Sequence, residues 1–336
     1  MKKTLVAAAT LIAATGAFAQ SSVTLYGLVD ASLENVKGTD SLTRVSSSNY
    51  ASSRLGFRGV EDLGSGLKAK FVLESAINVD TGENGGKAAR FFDRAAWVGL
   101  EGAYGELRLG RIDSSIGLLA GNSAILGAQG YDDLKIADTF AGSTYRRVDN
   151  AITYVLPTLA AGLSAQVQYS TQVSGLEAAN TDAGKAFGLN VQYAAGPFGA
   201  GLGYINAAKT DASDDQGVLV YASYDFGAAK LTGYYNQDDR DSEDEKRSLY
   251  GIKVGIPFST NFSLTAGVSK VSNVNFVKDA DATIIAIKGV YNLSKRTALY
   301  GLLTTVDNDE GSSLGLVTTA SGKSSHGIAF GIRHSF

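Results

Sequence analysis

The chain has 336 residues, a formal net charge of -3 and no cysteine. Without cysteine, a disulfide scaffold, a thiol nucleophile and a cysteine-ligated metal site are all excluded. The acidic balance argues against a nucleic-acid partner, which needs a dense basic surface.

The amino terminus has the pattern of a secretory signal peptide. Two lysines precede an apolar run from Leu5 to Ala14, and Ala17 and Ala19 place small residues where signal peptidase reads them. We expect residues 1–19 to be removed on export and residues 20–336 to form one domain. Past this segment the sequence has no run of about 18 apolar residues, which excludes a membrane-spanning helix.

The first segment of the expected mature chain alternates apolar and polar residues. Residues 22–35 keep this alternation throughout, with Leu28 as the one apolar residue on the polar parity. Such a strand is much longer than the usual soluble strand of about 5–6 residues, and it suits a tilted membrane-spanning strand of about 9–11 residues. The same alternation recurs at 163–170, 187–193, 262–269 and 327–336.

The connections between these segments alternate between short turns and long polar stretches. The long stretches are 36–52, 79–90, 112–147, 172–184, 208–216, 238–246, 272–281 and 307–323. Tight turns at one end, long loops at the other and an even count of about sixteen strands are typical of an outer-membrane barrel. The sequence therefore predicts an all-β fold, a 16-stranded antiparallel transmembrane β-barrel. A soluble β-sandwich or propeller is the alternative, although its strands are shorter and its loops lack this asymmetry.

One connection, residues 112–144, is far longer than the loops of compact domains usually are. It mixes isoleucine, leucine and aromatic residues with four carboxylates, so we expect it to pack against a wall while showing its carboxylates to water. These are the candidate acidic residues of the site: Asp113, Asp132, Asp133 and Asp138.

Several segments resemble the trimeric Gram-negative general porins, especially the beta-proteobacterial branch. The matching segments are Ser22–Asp30, Ser53–Ala69, Phe92–Leu100, Gly105–Arg111, Asp149–Tyr154 and Arg333–Phe336. The resemblance implies a homotrimer in the outer membrane, a third long loop that folds into the barrel and constricts it, and a second long loop, about 79–89, that latches onto a neighbour. It also implies that Phe336 signals to the outer-membrane assembly machinery. The Pro-Glu-Phe-Gly-Gly signature of enterobacterial relatives is absent from the loop.

If the apolar parity faces lipid, the charges on the other parity line a water-filled lumen. An arginine or lysine facing lipid at mid-membrane costs about 2–4 kcal/mol in a barrel, so mid-strand basic residues are expected to point inward. The candidate basic residues of the constriction are Arg54, Arg58, Lys70, Arg94, Arg108, Arg146 and Arg147. Because inward cations outnumber inward carboxylates, a modest anion preference is expected.

An enzyme is not expected. The two histidines, His326 and His334, lie on the last predicted strand without a convincing serine and acid around them. Residues 199–203 are glycine-rich, but they lie within a strand, where glycine relieves crowding, and no helix follows. The acidic run 238–245 lacks the pattern of a calcium hand and fits an external loop that contacts the divalent cations bridging lipopolysaccharide. No catalytic residue, metal site or cofactor is implied.

The expected function is passive diffusion of ions and small hydrophilic solutes through an outer-membrane pore, with lipid and lipopolysaccharide around it. Two alternatives remain at this stage. A substrate-specific channel would show saturable flux, and a structural or adhesin barrel would not conduct.

Overall fold

The computed structural model describes residues 21–85, 90–127, 129–158, 160–173, 182–210 and 213–336. The predicted signal peptide and part of the predicted latch loop lie outside the described residues. The strands are β1 Ser22–Lys37, β2 Ser41–Ser47, β3 Arg54–Gly64, β4 Leu67–Ala76, β5 Ala95–Gly102, β6 Gly105–Asp113, β7 Arg147–Val155, β8 Leu163–Ser170, β9 Ala186–Ala195, β10 Phe198–Thr210, β11 Ser213–Asp225, β12 Lys230–Arg240, β13 Arg247–Pro257, β14 Phe262–Ser272, β15 Ala282–Asn292, β16 Thr297–Asn308 and β17 Ser325–Ser335.

The strands form one closed antiparallel sheet. From β3 onward each strand pairs with the next one in the chain, and β1 closes the barrel by pairing with β17 over Leu28–Lys37. The first part of β1, Ser22–Leu28, pairs with β3, and its last part, Ala31–Lys37, pairs with β2. Because β2 and β3 lie end to end along β1, they are two segments of one barrel strand. The described strands therefore occupy sixteen positions, which confirms the predicted 16-stranded barrel.

The predicted alternation of faces is confirmed on β1. Val23 and Leu33 are 70% and 60% exposed on the outer surface, whereas Leu28, Asp30 and Glu34 are buried inside the barrel. The apolar side chains of β1 therefore face the membrane. The polar side chains face the lumen, where water and loop residues contact them.

Two predicted long connections are wrong. Within 36–52 the structure has strand β2, which extends a hairpin with β1, and within 208–216 the strands β10 and β11 run on to Thr210 and from Ser213. In both places the sequence is polar because the strands rise beyond the lipid, where polarity no longer distinguishes a strand from a loop.

The long connection between β6 and β7, residues 114–146, folds into the barrel, and we call it the lumen loop. It contains helices α1 Gly117–Ser123 and α2 Asp133–Ile136 and the π-helix Phe140–Thr144; a 3-10 helix, Val274–Phe276, lies outside it. No helix among the described residues is long and apolar enough to cross a membrane.

The lumen loop packs against the inner wall through an apolar core. Ile116, Leu119 and Phe140 are fully buried. A Cβ on Gly203 would come within 3.0 Å of the Ile116 Cα, and one on Gly201 within 3.1 Å of Leu119 Cδ2. The glycine-rich segment of β10 therefore makes room for the loop, which agrees with the expectation that glycine relieves crowding there.

Candidate functional site

The lumen loop is tied to distant strands by buried hydrogen bonds. The Tyr131 hydroxyl donates to Glu34 Oε2 at 2.9 Å, and the Tyr145 hydroxyl donates to Asp215 Oδ2 at 2.7 Å. Burial, with a carboxylate next to each hydroxyl, raises the pKa of both tyrosines far above its ordinary value. Both tyrosines therefore stay neutral donors, and the loop keeps these anchors over any physiological pH.

The expectation that the loop shows its carboxylates to water is wrong for two of the four. Asp132 and Asp133 are fully buried. Asp132 caps helix α2, and Asp133 accepts hydrogen bonds from the Ile125 backbone N–H at 3.1 Å and the Tyr234 hydroxyl at 2.5 Å. Burial is tolerated because backbone and tyrosine donors replace water around the carboxylates. Asp138 is exposed, and Asp113 is partly exposed.

A buried ion pair fixes the end of the loop. Arg247 Nη2 lies 2.7 Å from Asp238 Oδ2, and the two side chains are 2% and 0% exposed. Both partners also hold the loop: Arg247 donates to the Asp138 carbonyl at 2.8 Å, and Asp238 accepts from the Phe140 N–H at 3.0 Å. The pair is thus the joint between the outer rim of β12–β13 and the lumen loop.

The loop covers one side of the lumen and leaves a water-accessible gap on the other. A cavity of about 280 Å³ lies between the loop and the segments that connect β2 to β3 and β4 to β5. Ser52 Oγ on the wall donates to Gln129 Oε1 on the loop at 2.5 Å, which ties the two sides together at the edge of the gap. The charged side chains that line it are Asp93, Arg94, Lys135, Arg146 and Arg147.

Two of the predicted basic residues that line the gap, Arg94 and Arg147, belong to ion pairs, and a third predicted residue, Arg54, shares the carboxylate of Arg94. Glu74 lies between two arginines: its Oε1 is 2.6 Å from Arg94 Nε, and its Oε2 is 3.7 Å from Arg54 Nε. Arg147 Nε lies 3.0 Å from Asp113 Oδ1. The Glu74 group has one carboxylate for two guanidinium groups and keeps a net positive charge.

Arg146 completes the cationic lining of the gap. Its guanidinium donates to the Gly117 carbonyl of the loop. Because that acceptor carries no charge, the hydrogen bond leaves the positive charge of Arg146 uncompensated. Both Arg146 and Arg147 line the gap, although the sequence alone could not decide between them.

The other three predicted basic residues face the lumen nearer the short turns. Arg58 pairs in register with Thr24, and its guanidinium lies 5.2 Å from the Tyr26 ring centroid. Lys70 contacts Glu101 and Glu106, and Arg108 lies 2.7 Å from Glu106. The structure therefore does not bring these three to the gap.

Sequence reasoning missed two further features of the site. The first is a set of three more cations. Lys135 lies on the loop and lines the gap. Arg90 and Arg111 share the Asp149 carboxylate beside a second cavity of about 470 Å³. The break between β2 and β3 also puts Tyr50 inside the barrel, where its ring centroid lies 4.7 Å from Lys288 Nζ. No local pattern marks these positions, because each depends on how the loop and the strand break are placed.

Comparisons with known proteins agree with this architecture. The family model described as Gram-negative porin matches residues 4–311. The chain is 34% identical to outer membrane porin protein 32 of Delftia acidovorans, with 100% of both chains covered. It is 32% identical to an outer membrane porin protein of Bordetella pertussis, over 70% of this chain and 69% of that one.

A solved structure with the same fold is the anion-selective porin from Comamonas acidovorans. It superposes with a TM-score of 0.82 at 33% identity, over 94% of this chain and 100% of that one. A closed barrel with an inward loop and a charged gap defines a channel, and the chain belongs to the Gram-negative porin family. It is an outer-membrane protein and a channel rather than an enzyme.

Proposed function

We propose that this porin lets small hydrophilic solutes diffuse through its gap with a modest preference for anions. The observation that carries the proposal is the lining of the gap, where four cationic side chains face one aspartate, Asp93. The Asp93 carboxylate accepts only the neutral Ala76 N–H at 2.8 Å and keeps its negative charge, but the four cations outnumber it. The description of a similar porin as anion-selective supports the same direction.

One unit charge about 5 Å from a passing ion is worth roughly 0.8 kcal/mol in water-like dielectric, about a fourfold bias in local concentration. Screening over about 8–10 Å near physiological salt restricts this bias to the gap itself. The preference is therefore expected to be modest.

Flux through the purified protein tests the channel proposal. In planar bilayers we expect ohmic single-channel steps, and in liposomes we expect solute uptake proportional to concentration. Saturating uptake would instead indicate a substrate-specific channel, and absent conductance would indicate a structural barrel.

We also propose a homotrimer in which the loop after β4 contacts a neighbouring protomer. Small outward residues on β1, Gly27 and Ala31, would allow protomers to pack closely, but the Phe336 ring already covers Gly27, where an added Cβ would meet it at 2.3 Å. The proposal rests on Ala31 and on the family.

Deleting Thr81 to Gly85 is expected to lower the temperature of trimer dissociation while that of barrel unfolding stays the same, as followed by heated electrophoresis. Equal losses in both temperatures would contradict the latch.

Two further partners belong to the proposal. The Phe336 N–H and carbonyl each bond to Gly27 at 3.1 Å, so the terminal residue is held at the strand end with an exposed ring that assembly machinery can reach. Contact with cations bridging lipopolysaccharide would use Glu243 and Asp244 at the outer rim, since Asp238 and Asp239 are already ion-paired.

A further inference from the structure

A third cavity, of about 280 Å³, lies on the opposite side of the lumen loop from the gap. It is bounded by helix α1, the loop segment after it and the inner faces of β12–β15. Lys230, Lys253 and Lys288 line it, and no carboxylate of the described residues does. We call this site the lysine pocket.

The register of the sheet explains how three lysines meet. Lys230 pairs with Gly255, Gly255 with Thr265 and Thr265 with Lys288, so two lysines stand at the ends of one row with small residues between them. Lys253 pairs with Thr232, two residues from Gly255, which makes it a diagonal neighbour of Lys230. The row of glycine and threonine forms the floor of the pocket.

The floor is open. On the floor a Cβ on Gly255 would meet only Thr265 Oγ1 at 3.9 Å, and on the facing helix α1 a Cβ on Gly121 would meet nothing within 4 Å. Elsewhere on this wall the lumen loop fills the space beside a glycine. At Gly267, for example, a Cβ would lie 2.9 Å from Ile125 Cγ2. The space between the lysines is therefore not needed to pack the loop.

Two of the lysines also hold the loop. Lys253 Nζ donates to the Ala124 carbonyl at 2.6 Å, and Lys288 Nζ donates to the Leu126 carbonyl at 2.8 Å. Each ammonium group has three donors, so these bonds leave further donors on both. The loop carboxylates Asp132 and Asp133 accept hydrogen bonds from the loop backbone and, for Asp133, from Tyr234, and neither lines the pocket.

Loop anchoring does not account for Lys230. It is exposed, and it makes no hydrogen bond or ion pair with the described residues. On its other side Lys230 pairs in register with Asp225 of β11, whose carboxylate accepts the Gly227 N–H at 2.8 Å. Asp225 does not line the pocket, where the three like charges face one another, and an anion there would compensate them.

We propose that the lysine pocket is a second anion-binding station, on the turn side of the lumen loop, for compact oxyanions such as phosphate or a dicarboxylate. Lys230 begins β12 directly after a short turn, and in outer-membrane barrels the short turns face the periplasm. An anion that enters from the periplasmic side therefore reaches the lysine pocket first. An anion on the other side of the lumen loop reaches the arginines of the gap first. This inference extends the proposed anion preference and predicts something separate from it: block that depends on the side of addition.

Inorganic phosphate tests the proposal on the intact channel in planar bilayers. Because the chain has no cysteine, an Asp244→Cys variant labelled with a bulky thiol reagent would report the orientation of each inserted channel. We expect phosphate on the periplasmic side to reduce the chloride current saturably, and phosphate on the outer side to do so more weakly.

Lys230→Gln is the discriminating variant, because this side chain has no role in holding the loop. It is expected to raise the half-blocking phosphate concentration about fourfold, the effect of one charge at about 5 Å. Lys68→Gln is the matched control, since Lys68 is an exposed residue near the same barrel end, outside the pocket. The arginine variants of Lys253 and Lys288 keep the charge and are expected to retain the block.

Block that is equal from both sides, or equally weakened by Lys230→Gln and Lys68→Gln, would overturn the station. The block is measured as loss of total current. A wild-type channel that prefers cations would therefore contradict the proposed function while leaving the test of the pocket intact.

Discussion

Replacing Arg247 by methionine is expected to cost about 3–5 kcal/mol of stability, because it leaves Asp238 charged and buried without its partner. Both side chains are almost fully buried, and the pair joins the rim of β12–β13 to the lumen loop. The same change should loosen the loop and increase current noise in single-channel traces. Urea unfolding in detergent followed by tryptophan fluorescence would measure the first effect.

Arg240→Met is the matched control for this prediction. Arg240 is 30% exposed, lies 3.9 Å from Asp215 and stacks over the Phe140 and Phe276 rings, so its removal is expected to cost about 1–2 kcal/mol, less than the loss of Arg247. In the double variant Asp238→Asn and Arg247→Met, most of the lost stability should return, because the asparagine is neutral and still accepts from the Phe140 N–H. Equal losses for Arg247→Met and Arg240→Met would show that the buried pair does not anchor the loop.

Exchanging charges around Glu74 is expected to shift ion selectivity in two opposite directions. Arg94→Gln leaves a neutral pair of Arg54 and Glu74, whereas Glu74→Gln leaves two unpaired guanidinium groups. Each change is worth about a fourfold shift in the local ratio of anions to cations near the gap. Arg94→Gln should move the reversal potential in a salt gradient toward cations, and Glu74→Gln should move it toward anions.

The salt dependence gives these two variants an internal control. At about 1 M salt the Debye length falls to about 3 Å, so both shifts should shrink. Shifts of the same sign in the two variants, or shifts that persist at high salt, would contradict an electrostatic origin at the gap.

Much of the barrel could be predicted because the alternation of apolar and polar residues along a strand shows locally which side chains face lipid and which face the lumen. On β1 the side-chain period of two places Val23 and Leu33 in lipid and Asp30 and Glu34 inside, whatever the rest of the chain does. The inward direction of the arginines on β3 followed from the same local rule. Near the outer rim this signal fails, as at β2, since both faces of the strand meet water.

The loop carboxylates could not be placed from sequence, because their partners are distant in the chain. Tyr234, which donates to Asp133, lies 101 residues away, and Asp238, which accepts from Phe140, lies 98 residues away. A polar loop residue is by default expected in water, and for Asp133 the long-range donor Tyr234 reverses that. The break that places Tyr50 in the lumen depends likewise on Asp30, whose carboxylate accepts the Ala51 N–H at 2.8 Å.

The sign of the wild-type reversal potential in a potassium chloride gradient tests the central claim most directly. With four cationic side chains and one aspartate around the gap, we expect a reversal potential of the sign that chloride selectivity gives at low salt, and we expect it to approach zero as the salt rises. A potential on the potassium side would contradict it, because it would mean that the carboxylates at the gap, Asp113 and Glu74 among them, outweigh the guanidinium groups that they contact.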